Sequence, residues 1–311
     1  MNTKVLPSFA LVFFLLLSLS VISMPKLAFC QGSIARQTIL VQSDGSIYPS
    51  NAPIQTNDNT YTLTQDSYDP ILIQKSSIVF DGAGYSLIGP LNETQRKAEQ
   101  VIGVGPGNET QVPYIIGIDI DDGISEVTIK NLEVRNFSIG AYIHSRGNAL
   151  QGSNIHDNIV GVLLSGSANS ITYNYIAGNE QGLFFGFEDV DGIGNIPSDI
   201  LISHNSFVEN TRQLSGCVCK EYNLTEKQHS WDNGKEGNYW SDYNGTDANR
   251  DGIGDTAYVI DPLNQDRYPL MVNPLSQGIS IFTIALIAVV IVIVVTTVIG
   301  AWSFKRKRKQ S

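Results

Sequence analysis

The sequence has few basic residues, and those it has are unevenly placed. Among its 311 residues, 20 are Lys or Arg and 30 are Asp or Glu. Seven of the basic residues lie in two terminal segments, 1–30 and 303–311. The rest of the chain therefore holds 13 basic residues against 30 acidic ones, a net charge of about −17. An acidic surface is soluble and tolerates divalent cations, but it repels a phosphate backbone. A nucleic-acid partner is therefore excluded.

The side chains that bind soft metals are also scarce, with three Cys, three Met and four His. None of the histidines has the spacing of a metal site: His144, His156, His204 and His229. Cys30 lies at a predicted processing site, where it is either removed or lipidated. Cys217 and Cys219 could form a strained local disulfide, pair between chains, or bind Cu(I) with help from His204 or His229.

The two ends of the chain predict its location. Residues 1–30 have a lysine, a long apolar run and a small-residue site, which is typical of a signal peptide. Residues 279–302 carry no charge and are long enough to cross a bilayer. Because five cations, Lys305–Lys309, follow at once, the tail at 303–311 is expected in the cytoplasm. We therefore predict a single-pass membrane protein with an extracytoplasmic ectodomain.

The middle of the chain repeats. Gly140, Gly161 and Gly182 are 21 residues apart, and each precedes an apolar run. A fixed period of this length with short alternating segments indicates a solenoid, and the alternation predicts strands that pair in register between coils. We expect Gly at the bends and ladders of Asn side chains along the stack. The ladder candidates form two sets, Asn136, Asn158, Asn179 and Asn210 and then Asn131, Asn174 and Asn205.

These patterns divide the chain. Residues 31–225 are predicted to form an all-β parallel β-helix with an N-terminal cap, and residues 226–275 a C-terminal cap. The insertion at 188–197 is expected to be a surface loop. N-glycosylation sequons fit an exported chain, and five are present, at Asn92, Asn108, Asn136, Asn223 and Asn244.

A candidate calcium loop lies in the predicted C-terminal cap. Asp247, Asn249, Asp251 and Asp255 stand at positions 1, 3, 5 and 9, and Gly252 at position 6 permits a sharp turn. This spacing is similar to that of an EF-hand loop and of thrombospondin-type calcium repeats, but Tyr258 occupies position 12. The alternative is a loop closed by side-chain to backbone hydrogen bonds. We favour structural calcium.

Several sequence segments resemble those of one protein family. They are the segment 81–84, the coils that end in Asn, and the terminal segments 237–243, 251–255 and 261–271. Together they resemble the NosD-like right-handed parallel β-helix proteins of the pectin-lyase-like class over roughly residues 38–272. The resemblance implies a periplasmic copper-binding or carbohydrate-binding type of domain, with membrane-anchored surface versions common in archaea. No copper site carries over residue by residue.

The same resemblance raises an enzymatic alternative. Pectin-lyase-like β-helices cleave polyuronides with carboxylates, or with a basic residue assisted by Ca²⁺. The candidate catalytic residues here are Asp119, Asp121, Arg135 and Arg146. However, the Gly-His-Gly and Arg-Ile-Lys phrases of polygalacturonases and the Asp-Pro-His-Glu phrase of alginate epimerases are absent.

The sequence therefore favours a protein that binds or organises surface carbohydrate. A flat sheet that carries Asn, Tyr and Asp suits hydrogen bonding and stacking along an extended glycan. The alternatives are a polysaccharide lyase or hydrolase, a structural envelope protein, and a copper-handling factor.

Overall fold

The computed structural model describes residues 37–99, 115–186, 188–190, 193–195, 197–216 and 227–275. Within them the structure is all-β apart from one seven-residue helix, α1 (Glu93–Glu99). The segments predicted as signal peptide, membrane span and cytoplasmic tail, and also Cys217 and Cys219, lie outside these residues. Across the described ranges, no helix has the length and apolar character needed to cross a membrane.

Three sheets account for most of the strands. The eight-stranded sheet contains β1 (Ile39–Val41), β2 (Ile47–Tyr48), β5 (Ile71–Ile73), β8 (Ile116–Ile120), β11 (Ile139–Ile143), β14 (Val160–Leu164), β17 (Gln181–Phe185) and β22 (Arg212–Gly216). The seven-stranded sheet contains β3 (Ile54–Asn57), β4 (Thr60–Leu63), β6 (Val79–Asp81), β9 (Thr128–Lys130), β12 (Ala149–Gln151), β15 (Ser170–Thr172) and β20 (Leu201–Ser203). The six-stranded sheet contains β7 (Ser86–Ile88), β10 (Glu133–Arg135), β13 (Asn154–His156), β16 (Tyr175–Ala177), β21 (Ser206–Val208) and β23 (Tyr239–Trp240).

Pairing within these sheets is parallel, except at the N-terminal edges. There β1 pairs antiparallel with β2, and β3 pairs antiparallel with β4. Two further antiparallel hairpins join β18 (Glu188–Val190) to β19 (Ile193–Asn195) and β24 (Tyr258–Val259) to β25 (Gln265–Asp266). The first hairpin lies in the insertion at 188–197. Mostly parallel sheets of this kind are consistent with a β-helix.

The register of the strands follows the repeat of the sequence. Val134 pairs with Ile155 and Ile155 with Ile176, steps of 21 residues, and Ile176 then pairs with Phe207 across the insertion. All four side chains are fully buried. The outward neighbours on β10 and β13 are polar and partly exposed. Alternation along each strand therefore builds a continuous core with one residue from every paired strand.

The repeating glycines have a different role from the one predicted. They lie inside strands, not at bends, and Gly140, Gly161 and Gly182 occupy matching positions of β11, β14 and β17. A Cβ atom added at Gly161 would stand 2.5 Å from the carbonyl oxygen of Gly182. Close approach of the next strand therefore requires glycine here. At the bends, Asn131 and Asn136 adopt positive φ instead, at 51° and 64°.

The predicted asparagine ladders are present, with two corrections to their membership. Nδ2 of Asn158 donates to Oδ1 of Asn179 at 3.1 Å, and Nδ2 of Asn179 donates to Oδ1 of Asn210 at 3.0 Å. A second ladder contains Asn174, Asn205 and, beyond the prediction, Asn238. Asn131 and Asn136 belong to neither ladder, because each lies one position earlier in its coil.

Candidate functional site

The outer face of the six-stranded sheet presents rows of polar side chains. On β10, β13 and β16, Glu133 is in register with Asn154 and Asn154 with Tyr175. A second row places Arg135 beside His156. The residues between them point into the core, so strand alternation directs these five side chains outward. The 21-residue period thus brings together groups that are far apart in sequence.

His156 lies between two carboxylates. Its Nδ1 is 2.8 Å from Oδ2 of Asp157, and its Nε2 is 2.9 Å from Oε1 of Glu133. Ser86 also donates a hydrogen bond to Glu133, at 2.7 Å. Burial acts to raise the pKa of Glu133, but the hydrogen bonds from His156 and Ser86 outweigh it and lower that pKa. Glu133 is therefore held as a carboxylate that accepts hydrogen bonds.

Helix α1 contributes one cation to this face. The guanidinium of Arg96 donates to Oδ1 of Asn136 at 2.6 Å and to Oδ1 of Asp157 at 3.2 Å. Its side chain is only 12% exposed. Nε of Arg135 lies 3.2 Å from Oε1 of Glu133. Charges of both signs are therefore paired around His156.

A cleft of about 480 Å³ opens beside this cluster. Glu133, Asn154, Tyr175 and Glu209 supply polar groups, and small residues such as Ala177 leave room in it. Oδ1 of Asn154 is buried and has no hydrogen-bond partner among the described residues. Burial, with Glu209 nearby, raises the pKa of Tyr175, so its hydroxyl keeps its proton. The cleft combines acceptors, an amide and an aromatic ring, which suits a hydroxylated ligand.

The four candidate catalytic residues do not form one site. Asp119 and Asp121 lie near one another at the eight-stranded sheet, on β8 and directly after it. Arg135 lies on the six-stranded sheet, and Arg146 is exposed in the turn that follows β11. Sequence reasoning missed Glu133, Asn154 and Tyr175, although their 21-residue spacing is a signal that could have found them.

Asp119 has an unusual environment. Its row on the eight-stranded sheet places it between Leu72 and Tyr142. Oδ1 is buried and has no hydrogen-bond partner among the described residues; Nε2 of His144 lies 3.4 Å away but without hydrogen-bond geometry. Burial, with Asp121 adding repulsion, raises the pKa of Asp119 to about 7. A carboxyl group of this kind can release or accept a proton near neutral pH.

The predicted calcium loop is closed by its own hydrogen bonds. Asp247 accepts from the backbone N–H groups of Asp251 and Gly252, at 3.1 and 3.0 Å. Nδ2 of Asn249 donates to Oδ2 of Asp251 at 2.9 Å, and Asp255 accepts from the N–H of Ala248 at 2.9 Å. In the part of the chain that the structure describes, no three His, Cys, Asp or Glu side chains are arranged to hold a metal ion. Calcium stays a prediction.

Three of the five sequons can be located. Asn92 and Asn244 are exposed. Asn136 is partly buried, and its side-chain oxygen accepts the hydrogen bond from Arg96. Asn108 and Asn223 lie outside the described residues.

Comparison with known proteins gives one partial similarity. No protein-family profile matches the chain. Over 60 residues it is 43% identical to the protein named "Probable ABC transporter binding protein NosD" of Stutzerimonas stutzeri. The matched segment is 19% of this chain and 12% of that protein. The similarity and the parallel sheets together support a NosD-like relationship over part of the chain.

Proposed function

We propose that this chain is a membrane-anchored, extracytoplasmic, right-handed parallel β-helix that binds or organises carbohydrate at the cell surface. The outer face of the six-stranded sheet is its binding surface. The observation that carries the proposal is the cleft beside His156, in which Tyr175 presents a ring and Asn154 has a buried acceptor without a partner among the described residues. The partial NosD similarity supports the solenoid, and residues 279–302 support the anchor.

The geometry of the face favours an extended ligand over a compact one. Equivalent positions on β10, β13 and β16 recur at the spacing of paired strands, about 4.8 Å. A chain of sugar units that lies along the stack would therefore meet polar groups on successive strands. Carboxylates and amides bind hydroxyl groups, and an aromatic ring packs on the C–H face of a sugar.

A glycan-array screen of the full-length protein, in a detergent without a sugar headgroup, tests the proposal. Tyr175→Ala should weaken binding of the best glycan about tenfold, since it removes the aromatic contact. Tyr173→Ala is the matched control, because Tyr173 is 54% exposed and does not line the cleft. Carbohydrate binding by this face is wrong if no glycan binds, or if the two variants bind equally well.

A second candidate function is polysaccharide cleavage, and Asp119 favours it. A buried carboxyl group with a pKa near neutrality can act as a general acid or base. A reducing-end assay, with absorbance detection of unsaturated products, should then show turnover by the wild type on a polyuronide. Asp119→Asn should reduce the rate at least a hundredfold, as expected for loss of proton transfer. If none of the glycans that bind is cleaved, the cleavage proposal is wrong and only the binding function remains.

We also propose the cofactor and modifications that the sequence predicts. Calcium would be structural and held by Asp247, Asn249, Asp251 and Asp255, and glycans are best placed on Asn92 and Asn244, which are exposed. The structural-envelope and copper alternatives have no observation among the described residues that favours them.

A further inference from the structure

A cavity of about 740 Å³ lies between β22 and the β24–β25 hairpin. Beyond β22 the chain adds Ser230 to the seven-stranded sheet, through a bridge to Leu201, and adds β23 to the six-stranded sheet. In the described ranges, however, β22 is the last strand of the eight-stranded sheet. The cavity lies beside the strand that is not continued. It shares no lining residue with the cleft on the six-stranded sheet.

Aromatic rings form one part of the cavity wall. The imidazole of His229 stacks on Phe185, with ring centroids 5.0 Å apart and planes at 11°. Trp231 meets Phe185 edge-on at 6.1 Å. Tyr258, also in the lining, stacks on Trp240 at 4.3 Å. These rings are fixed by packing against one another, so the cavity has a rigid apolar side.

The ring of His229 has a buried nitrogen without a hydrogen-bond partner among the described residues. The residue is 9% exposed, and its backbone N–H donates to Oδ1 of Asn264 at 2.9 Å. Nδ1 of its ring, by contrast, is buried and has no partner among the described residues. Burial lowers the pKa of His229, so the ring is neutral at neutral pH. An unpaired buried polar atom destabilises the fold, and a hydrogen bond to a ligand would offset that cost.

The remaining lining selects against an anion. Among the described residues that line the cavity, Asp242 and Asp261 supply two carboxylates and Arg212 supplies one guanidinium. Gln213 and Asn264 add amide groups, both held in place, since Gln213 donates to Ser241 at 3.0 Å and Asn264 to Asp261 at 2.9 Å. The cavity therefore offers fixed amides, carboxylates and ring faces with a slight excess of negative charge.

We infer that this cavity is a second binding site, which takes the end of a neutral glycan, one or two sugar rings long. The inference rests on the proposed carbohydrate-binding function and adds a site and a preferred charge to it. Aromatic walls match the C–H faces of a sugar ring, and the imidazole of His229 and the carboxylates match its hydroxyl groups. The volume lies within the range of about 300–1,000 Å³ that is typical of small-ligand pockets.

The test is calorimetric titration of the full-length protein, in a detergent without a sugar headgroup, with cellobiose, maltose, lactose and digalacturonate. At least one neutral disaccharide should bind, and more tightly than digalacturonate. His229→Phe keeps the stack on Phe185 but removes the ring nitrogens, so it should weaken that binding about tenfold. Its melting temperature should stay the same or rise, since an unpaired buried atom is lost.

His204→Phe is the matched control. His204 also stacks on an aromatic ring, that of Tyr173 at 4.6 Å, but it lies outside the cavity lining. This variant should bind the disaccharide as the wild type does. Equal binding by both variants, tighter binding of digalacturonate, or no binding of any neutral disaccharide would overturn the inference. Glycan binding that depends on Tyr175 would survive all three results, so the two proposals fail separately.

Discussion

The repeating strands and the terminal segment differ in how their side chains form hydrogen bonds. Between residues 116 and 216, buried side chains bond to the neighbouring coil, as Asn179 does with the backbone of Ile155 and the side chain of Asn210. In residues 227–275, buried side chains such as Asn238 also bond to distant residues, but many other bonds join a side chain to its own backbone a few positions away. Asp232 accepts from Gly234, and Asp261 accepts from Leu263. The first arrangement couples coils, and the second closes single loops.

The two regions meet where an aspartate takes the place of an asparagine. Asn205 donates through its N–H to Asn238 at 3.0 Å, and Asn238 donates through its N–H to Oδ2 of Asp266 at 2.7 Å. Asp266 also accepts from the indole of Trp240 at 2.9 Å. Burial raises the pKa of Asp266, against the effect of these donors. A carboxylate accepts without donating, so the ladder ends at this residue.

The largest effect should come from breaking the ladder in the repeating region. Asn179→Leu removes the acceptor for the N–H of Asn158, at 2.9 Å, and the donor to the carbonyl of Ile155, at 3.0 Å. Two buried backbone groups then lose their partners, which costs about 2–6 kcal/mol in the free energy of unfolding. Urea denaturation followed by circular dichroism measures this loss.

The same substitution in the terminal segment provides the control. Asn249 is exposed and bonds only within its own loop, to Asp251. In excess chelator, where calcium does not contribute, Asn249→Leu should therefore cost less than about 1 kcal/mol. Equal losses at the two positions would show that the ladder does not couple the coils.

A smaller effect should come from Asp119 of the repeating region, whose Oδ1 is buried and has no hydrogen-bond partner among the described residues. Its pKa in the folded state, about 7, lies above the usual aspartate value of 3.8. The folded state therefore keeps its proton while the unfolded state loses it. Stability should fall as the pH rises from about 4 to about 7, by up to about 4 kcal/mol, and then level off.

Asp119→Asn removes that dependence. The variant should unfold at higher urea concentration than the wild type at pH 8, and the difference should be small at pH 4.5, where the carboxyl group is protonated in the fold. Denaturation curves at pH 4.5, 6 and 8 measure the difference, in which other titrating groups cancel. A constant difference across the three pH values would show that Asp119 is not held protonated.

Sequence predicted the repeating region better than the terminal one, for a physical reason. A fixed period determines register, so Gly140 and Gly161 identified paired strands, and Asn158 and Asn179 identified a ladder. The pairing of Asp119 with Leu72 could not be predicted, because these residues are 47 positions apart and break the period. The burial of Asp119, and hence its pKa, depends on such neighbours.

The terminal segment was less predictable because its motif has two physical solutions. Oxygens spaced as in Asp247 and Asp251 can surround a cation or accept hydrogen bonds from their own loop. The same sequence is compatible with both structures. Which one forms depends on the free energy of calcium binding relative to that of the hydrogen bonds within the loop. The His156 cluster was missed for another reason: its partner Glu133 lies on the preceding strand of the sheet, 23 residues away.

The smallest effect on stability should come from calcium in the terminal segment. Bound calcium would hold together the loop that otherwise closes through its own hydrogen bonds. Calcium that binds only the folded state stabilises it by about 2.7 kcal/mol at a hundredfold excess over Kd. Chelation should therefore lower the melting temperature of the wild type. Asp251→Ala removes a predicted ligand beside Gly252 and should make the melting temperature independent of calcium. Asp242→Ala is the control, because this exposed aspartate lies outside the loop and should leave the calcium dependence intact. If the wild type melts at the same temperature in millimolar calcium and in excess chelator, the calcium prediction is wrong. The loop of the terminal segment is then held closed by its own hydrogen bonds alone.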